Sequence, residues 1–161
     1  MTRILSSSFA LLVTALALSA CHQSGASGSA GSGDVPAPTA NVSDWGKFLA
    51  DKGKLNNEGV SERPYNYVIP AGDDAIAKAR RESEVNSIAH GVGVLFKPGS
   101  MLIIGGPDAK TNTDFLKSLA KETKPGSMKG VVVLVVNDSS QKDADSDALK
   151  SSEATVRFAA M

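Results

Sequence analysis

Val131 to Val136 reads Val-Val-Val-Leu-Val-Val, and this run sets the tightest limit on what the chain can fold into. Its β-branched side chains favour extended backbone. It has no polar alternation, so neither face can lie against water. Such a strand belongs in the middle of a sheet that is covered on both sides. The strand needs neighbours, and shorter apolar runs supply them. Tyr65 to Ile69 reads as a strand stopped by Pro70-Ala71-Gly72. Gly93 to Phe96 and Met101 to Ile104 read as two more, joined as a hairpin through Lys97-Pro98-Gly99-Ser100, and Thr155 to Ala159 reads as the last.

Helical segments lie between these runs. Ser43 is placed to cap a short helix whose Trp45, Phe48 and Leu49 share a face and which Gly53 ends. Asp73 to Ala89 has helix-forming composition, with two aspartates in its favourable first turn. Its Ile76, Val85 and Ile88 do not gather on one face, which predicts partial burial. Thr113 to Thr123 carries the clearest stripe, formed by Phe115, Leu116, Leu119 and Ala120, and Pro125-Gly126 stops it. A polar, acidic stretch from Asp138 to about Ser152 includes a short helix near Ala144 to Lys150. Alternating strands and helices predict an α/β fold over residues 43–161. The expected form is a single small sandwich with a mixed, partly parallel sheet of about four or five strands.

Length and composition remove several classes of function. A chain of 161 residues holds one domain with a tail. Seventeen basic residues balance seventeen acidic ones, so there is no electrostatic footprint for DNA or RNA. At 5% aromatic the chain lacks stacking platforms for bases or sugars. The one cysteine, Cys21, cannot form an internal disulfide, a Cys-x-x-Cys centre or a structural zinc site.

Residues 1–20 have the form of an export signal. Arg3 is the positive start, and an apolar run from Ile4 to Leu18 follows. At about fifteen residues that run is short for a membrane span, which needs roughly twenty. It ends in Leu18-Ser19-Ala20-Cys21. These four residues resemble the lipobox of bacterial lipoproteins, and each position matches. The resemblance covers residues 1–21. It implies cleavage before Cys21 by signal peptidase II, a thioether-linked diacylglyceryl group on Cys21, and a further palmitate-type chain on its amine. Two or more chains anchor a protein stably where one does not. In lipoproteins of two-membraned bacteria, aspartate after the cysteine tends to retain the protein in the inner membrane. Here His22 follows, so the resemblance implies lipid anchoring in the outer membrane, facing the periplasm. The alternative is a secreted chain cut after Ala20 with a free thiol. Either way, loss of Arg3 leaves sixteen basic against seventeen acidic residues, a mature charge near −1.

From Cys21 to Val42 the chain is nearly all Gly, Ser, Ala, Pro and Thr, with no periodicity to bury. It reads as a flexible linker whose mean reach is roughly 25 Å, and about 70 Å when fully extended. Asn41-Val42-Ser43 matches a glycosylation acceptor, which a bacterial lipoprotein leaves idle.

Four groups of residues in the domain have chemical promise. If the sheet is parallel, the loops leaving Ile69, Ile104 and Val136 emerge on one edge, where such folds bind ligands. Those loops carry Asp73, Asp74, Asp108 and Asp138. Asp73, Asp108 and Asp138 are a candidate set for Mg²⁺ or Ca²⁺, although aspartate is also what a helix start requires. Asp143, Asp145 and Asp147 alternate like the start of an EF-hand loop, but Ala148 and Ala154 replace the glycine and the closing glutamate. A solvated acidic loop is the better reading. Gly105-Gly106-Pro107-Asp108 offers either an anion cradle or a tight turn using positive φ. His90, the one histidine of the domain, has no nucleophile elbow to serve and suits a helix C-terminus. Lys78, Arg80 and Arg81 stand at helical spacings from Asp74, Glu82 and Glu84, which predicts a solvated, salt-bridged face. Trp45 reads as core packing.

No cofactor is called for, and no catalytic set stands out. The expected function is a non-catalytic module that binds a periplasmic protein through Asp108, Asp138, Asp143, Asp145 and Asp147. Its concrete form is an inhibitor or immunity protein against a toxin or cell-wall hydrolase. A metal-assisted periplasmic hydrolase and a structural component of an envelope complex are the alternatives.

Overall fold

A computed structural model describes residues 33–161. The expected signal peptide, Cys21 and the first part of the expected linker lie outside the described residues. The ordered elements are α1 (Val42–Leu55), β1 (Pro64–Val68), α2 (Ala75–Gly91), β2 (Met101–Gly105), α3 (Ala109–Glu122), β3 (Val132–Asn137), α4 (Lys142–Leu149) and β4 (Thr155–Ala160), with short 3-10 turns on either side of α4. The fold is α/β, and all four strands are parallel in the order β1-β2-β3-β4.

That order fixes where the helices lie. Each βαβ crossover steps one strand in the same direction, and right-handed crossovers then put α2, α3 and α4 on one face. Val85, Ile88, Phe115, Leu116, Leu119 and Leu149 pack there on Leu102, Ile104, Val133 and Val135. α1 covers the other face with Trp45, Phe48 and Leu49 on Met101, Ile103, Leu134 and Val136. The apolar run of β3 is therefore buried on both sides, as its lack of alternation requires, and every residue of the strand is buried. α2 buries Ala77, Val85 and Ile88 and leaves Ile76 74% exposed, which is the partial burial its scattered apolar residues predict.

The expected mixed sheet is corrected to an all-parallel one, because the hairpin between residues 93 and 104 does not form. α2 continues to Gly91, and the N–H groups of Val94, Leu95 and Phe96 all donate to Gly91 O. This closed turn drives Phe96 into the core, 1% exposed, with Tyr65 edge-on to it at 5.0 Å. The Lys97–Ser100 turn does form. Ser100 N–H donates to Lys97 O at 2.9 Å, and Gly99 at φ +92° occupies the left-handed position after Pro98. It delivers the chain into β2 parallel to β1 instead of folding it back.

The ordered domain also reaches further back than Ser43. Pro36 is buried, Ala40 packs on the α1 core, and Trp45 Nε1 donates to Ala37 O at 3.3 Å. The helix cap is Asn41, whose side chain accepts from Asp44 N–H. The glycosylation-like asparagine is thus engaged as an N-cap.

On the α1 face, Arg157 of β4 ties the sheet to the α1–β1 connection. Its guanidinium donates to the carbonyls of Asn56 and, at 2.6 Å, Glu58. Arg157→Ala is expected to lower stability by about 1–3 kcal/mol, through two lost charge-assisted bonds and carbonyls left to solvent. Arg157→Lys, with a single point of charge, should recover only part of it. Urea denaturation of the two variants against the parent tests this.

Candidate functional site

A parallel sheet gathers the C-terminal ends of its strands on one edge. Here that edge carries the loops 69–74, 106–108 and 138–141. The chain also enters the domain on this edge. Leu49 lies against Gly105 near the end of β2, while Gly53 lies against Ile103 and Met101 nearer its start. α1 therefore descends from this edge, and Trp45, a turn above Leu49, holds Ala37 there.

Three of the four aspartates of the edge, Asp74, Asp108 and Asp138, start helices. Asp74 Oδ1 accepts from the N–H groups of Ile76 and Ala77, both at 2.9 Å. Asp108 Oδ1 accepts from Thr111 N–H at 2.7 Å. Asp138 Oδ1 accepts from Ser140 N–H at 2.9 Å and its hydroxyl at 2.6 Å. Each bond stabilises the ionised carboxylate. The N–H of Ala77 is the main reason Asp74 titrates below the ordinary carboxylate range; the Thr111 side chain and then its N–H do this for Asp108, and Ser140 does it for Asp138. The sign of the pH dependence follows. Folded pKa values below the unfolded value of about 3.9 stabilise the fold above that pH, and the contribution is lost as pH falls through the folded values. Stability should be flat from pH 7 to about 5 and fall below about 4. Asp108→Ala should cost about 1 kcal/mol at pH 7 and flatten part of the acid limb. Thermal denaturation across that range, with equal acid limbs for both chains, would refute the cap.

The expected metal set does not assemble. Asp73 is exposed, Asp108 and Asp138 serve as caps, and among the described residues no group of three or more His, Cys, Asp or Glu is placed to hold an ion. The short helix expected near Ala144 to Lys150 forms as α4, and it takes in the EF-hand-like run, so the reading of 143–147 as a solvated loop is corrected. Successive residues of a helix turn by about 100°, so Asp143 and Asp147 share one side and Asp145 points the other way. Asp143 and Asp147 are exposed, and Asp145 is fully buried.

Asp145 anchors a buried polar cluster between β3, α3 and α4. Its Oδ1 accepts from Thr113 Oγ1 at 2.6 Å, and its Oδ2 accepts from Asn137 Nδ2 at 2.8 Å. Asn137 Oδ1 accepts from Asp138 N–H at 2.9 Å and from Asn112 Nδ2 at 3.1 Å. Asn112 Nδ2 also donates to Gly106 O at 2.9 Å, while Asn112 Oδ1 is buried with no hydrogen-bond partner. Gln141 lies at 3.1 Å from the Thr113 hydroxyl. The cluster joins two of the edge loops to the end of the central strand. Asn112, Thr113, Asn137 and Gln141 escaped the sequence reading. Asp145 gave a signal, since it stands four residues before Leu149 and so shares that residue's inward face.

The two glycines are corrected in their role. Neither Gly105 nor Gly106 has positive φ. What each supplies is room, because a Cβ on Gly105 would lie 2.6 Å from Val136 O and one on Gly106 would lie 2.4 Å from Ile69 O.

Outside the edge, His90 places Nδ1 2.7 Å from Asn86 O in its own last turn. Trp45 is 2% exposed and edge-on to Phe48, as core packing requires. The expected salt-bridged face of α2 is replaced by a backbone clamp. Arg81 Nη1 donates to Pro70 O and Gly72 O, both at 2.8 Å, and no salt bridge joins Lys78, Arg80 or Arg81 to Asp74, Glu82 or Glu84 among the described residues. Arg81 sits in a groove of about 810 Å³ between α2 and α3, floored by Val85 and Phe115 and walled by charges of both signs. No helix among the described residues is long and apolar enough to cross a membrane. Comparison with protein-family models, with curated proteins and with solved structures found no match for this chain.

Proposed function

We propose that the chain is a lipoprotein held at the periplasmic face of the outer membrane by acylated Cys21, and that its α/β domain is a non-catalytic module binding a periplasmic protein. An inhibitor or immunity protein against a toxin or cell-wall hydrolase is the concrete form. The anchor rests on Leu18-Ser19-Ala20-Cys21 and the Gly/Ser-rich segment after it. One observation carries the binding role: the carboxylates that would have to do chemistry at the sheet edge accept hydrogen bonds from their own helix starts. Groups held ionised and fixed in this way suit recognition of a basic surface better than proton transfer.

The exposed members Asp108, Asp138, Asp143 and Asp147 are the proposed contact surface, with buried Asp145 as its support. They stand near the edge at which the tether enters. Pro36 stands fifteen residues after Cys21 in the sequence, so a partner would be met close to the membrane.

The test is capture of periplasmic proteins by the full chain in membranes, compared with an Asp138→Asn, Asp143→Asn, Asp147→Asn triple variant. A single partner in 1:1 ratio, lost in the variant, supports the reading. Equal capture by both chains, or none by either, sinks it. Calorimetry with Mg²⁺, Ca²⁺ and Mn²⁺ should show no binding heat at millimolar metal, and a saturable heat would favour the hydrolase instead.

A further inference from the structure

The last strand has an open side. Thr155 N–H donates to Val131 O and Met161 N–H to Asn137 O, both toward β3. In a parallel ladder the N–H and C=O of one residue point the same way and alternate along the strand. Arg157 and Ala159 therefore face β3, while Val156, Phe158 and Ala160 turn their backbone groups outward. Among the described residues the N–H groups of Val156 and Phe158 donate to no backbone carbonyl outside the ladder. Ala160 O accepts from Lys52 Nζ at 2.8 Å and keeps its second lone pair.

Sheet edges are usually blunted by proline, lysine or a covering element. β1, at the opposite edge, begins on Pro64 behind Glu62-Arg63. β4 itself has neither proline nor lysine, and the one lysine seen to bond its edge, Lys52 of α1, is held at its last residue, on Ala160 O. Its one charge, Arg157, lies on the α1 face, held by the Asn56 and Glu58 carbonyls. Val156 and Phe158 are half-buried on the α2–α4 face.

We propose that β4 pairs with β4 of a second copy, antiparallel about a two-fold axis at Phe158, so that one sheet runs through both chains. The outward groups are self-complementary in this register: Val156 meets Ala160 of the second copy, Phe158 meets Phe158, and each pair exchanges two hydrogen bonds. The charges select the same register. Centred on Arg157, the pairing would set two guanidiniums opposite one another, which is unfavourable. Centred on Phe158, Arg157 faces Ala159, and the two half-buried rings cover each other.

Sedimentation of the full chain in density-matched detergent tests this. The parent should sediment as a dimer. Val156→Pro should be monomeric with unchanged far-UV circular dichroism, because the N–H it removes makes no bond to β3, and its Tm should lose the dependence on chain concentration that the parent shows. A parent that stays monomeric, leaving the edge to a strand of another protein, overturns the proposal, as does a dimer that survives the substitution. Should Val156→Pro fail to fold, cross-linking decides. Residues directly opposite in a hydrogen-bonded pair have Cα atoms about 5.5 Å apart, within disulfide range. Phe158→Cys should give a covalent dimer on oxidation that the parent does not give, and its absence overturns the pairing.

Discussion

Asn137→Ala is expected to destabilise the domain by about 2–4 kcal/mol, because it strips the fully buried Asp145 side chain of one of its two hydrogen bonds and leaves further buried polar groups unpaired. Asn137 ends the central strand with nothing of it exposed. Its amide nitrogen is the donor to Asp145 Oδ2, and its oxygen receives Asn112 Nδ2 and Asp138 N–H. Alanine removes both ends of that bridge and leaves Asp145 to Thr113 alone. Asp145→Ala should cost less, about 2–3 kcal/mol, since Thr113 can turn its hydroxyl to Ala109 O at 3.3 Å and Asn137 Nδ2 keeps Ala109 O at 3.2 Å. The two losses should not add. A double-mutant cycle should return a coupling of about 1–3 kcal/mol, read from urea midpoints at unchanged m-value. Strict additivity would show that the cluster is a set of separate bonds.

Gly106→Ala comes second, at about 2–3 kcal/mol. The new methyl would lie 2.4 Å from Ile69 O, a backbone atom at the end of β1 that cannot swing away, and 3.1 Å from the already unpartnered Asn112 Oδ1. Either the β2–α3 loop or the end of β1 must move. Gly46 is the control. It lies in α1 with open space where a Cβ would stand, so Gly46→Ala should stabilise by about 0.5–1 kcal/mol through helix propensity. Thermal denaturation of the pair separates close packing from composition: opposite signs support the account, and a neutral Gly106→Ala refutes it.

Long-period patterns made most of the fold legible. The unbroken apolar run identified β3 as central, and the stripe of Phe115, Leu116 and Leu119 placed a helix, which starts at Ala109 instead of Thr113 because Asp108 caps it. Short runs were ambiguous. Gly93 to Phe96 looks like a strand, yet one buried ring and three bonds to Gly91 O outweigh its β propensity. The edge aspartates were legible as caps, because capping is a local rule. The buried cluster was not, because it joins residues from β3, α3 and α4 that share no spacing in the chain. Alternating acids at 143, 145 and 147 suggested a metal loop only while the segment was taken as extended or looped. Once it is helical, the same spacing sends the middle acid inward.

The proposed role at the membrane depends on the proposed acylation of Cys21, and the intact mass of the chain purified from bacterial membranes tests it directly. The expected product begins at Cys21, carries the mass of a diacylglyceryl group and an amide-linked acyl chain, and leaves the membrane fraction on Cys21→Ser. A chain cut after Ala20 with an unmodified thiol, recovered in the soluble fraction, would contradict the account.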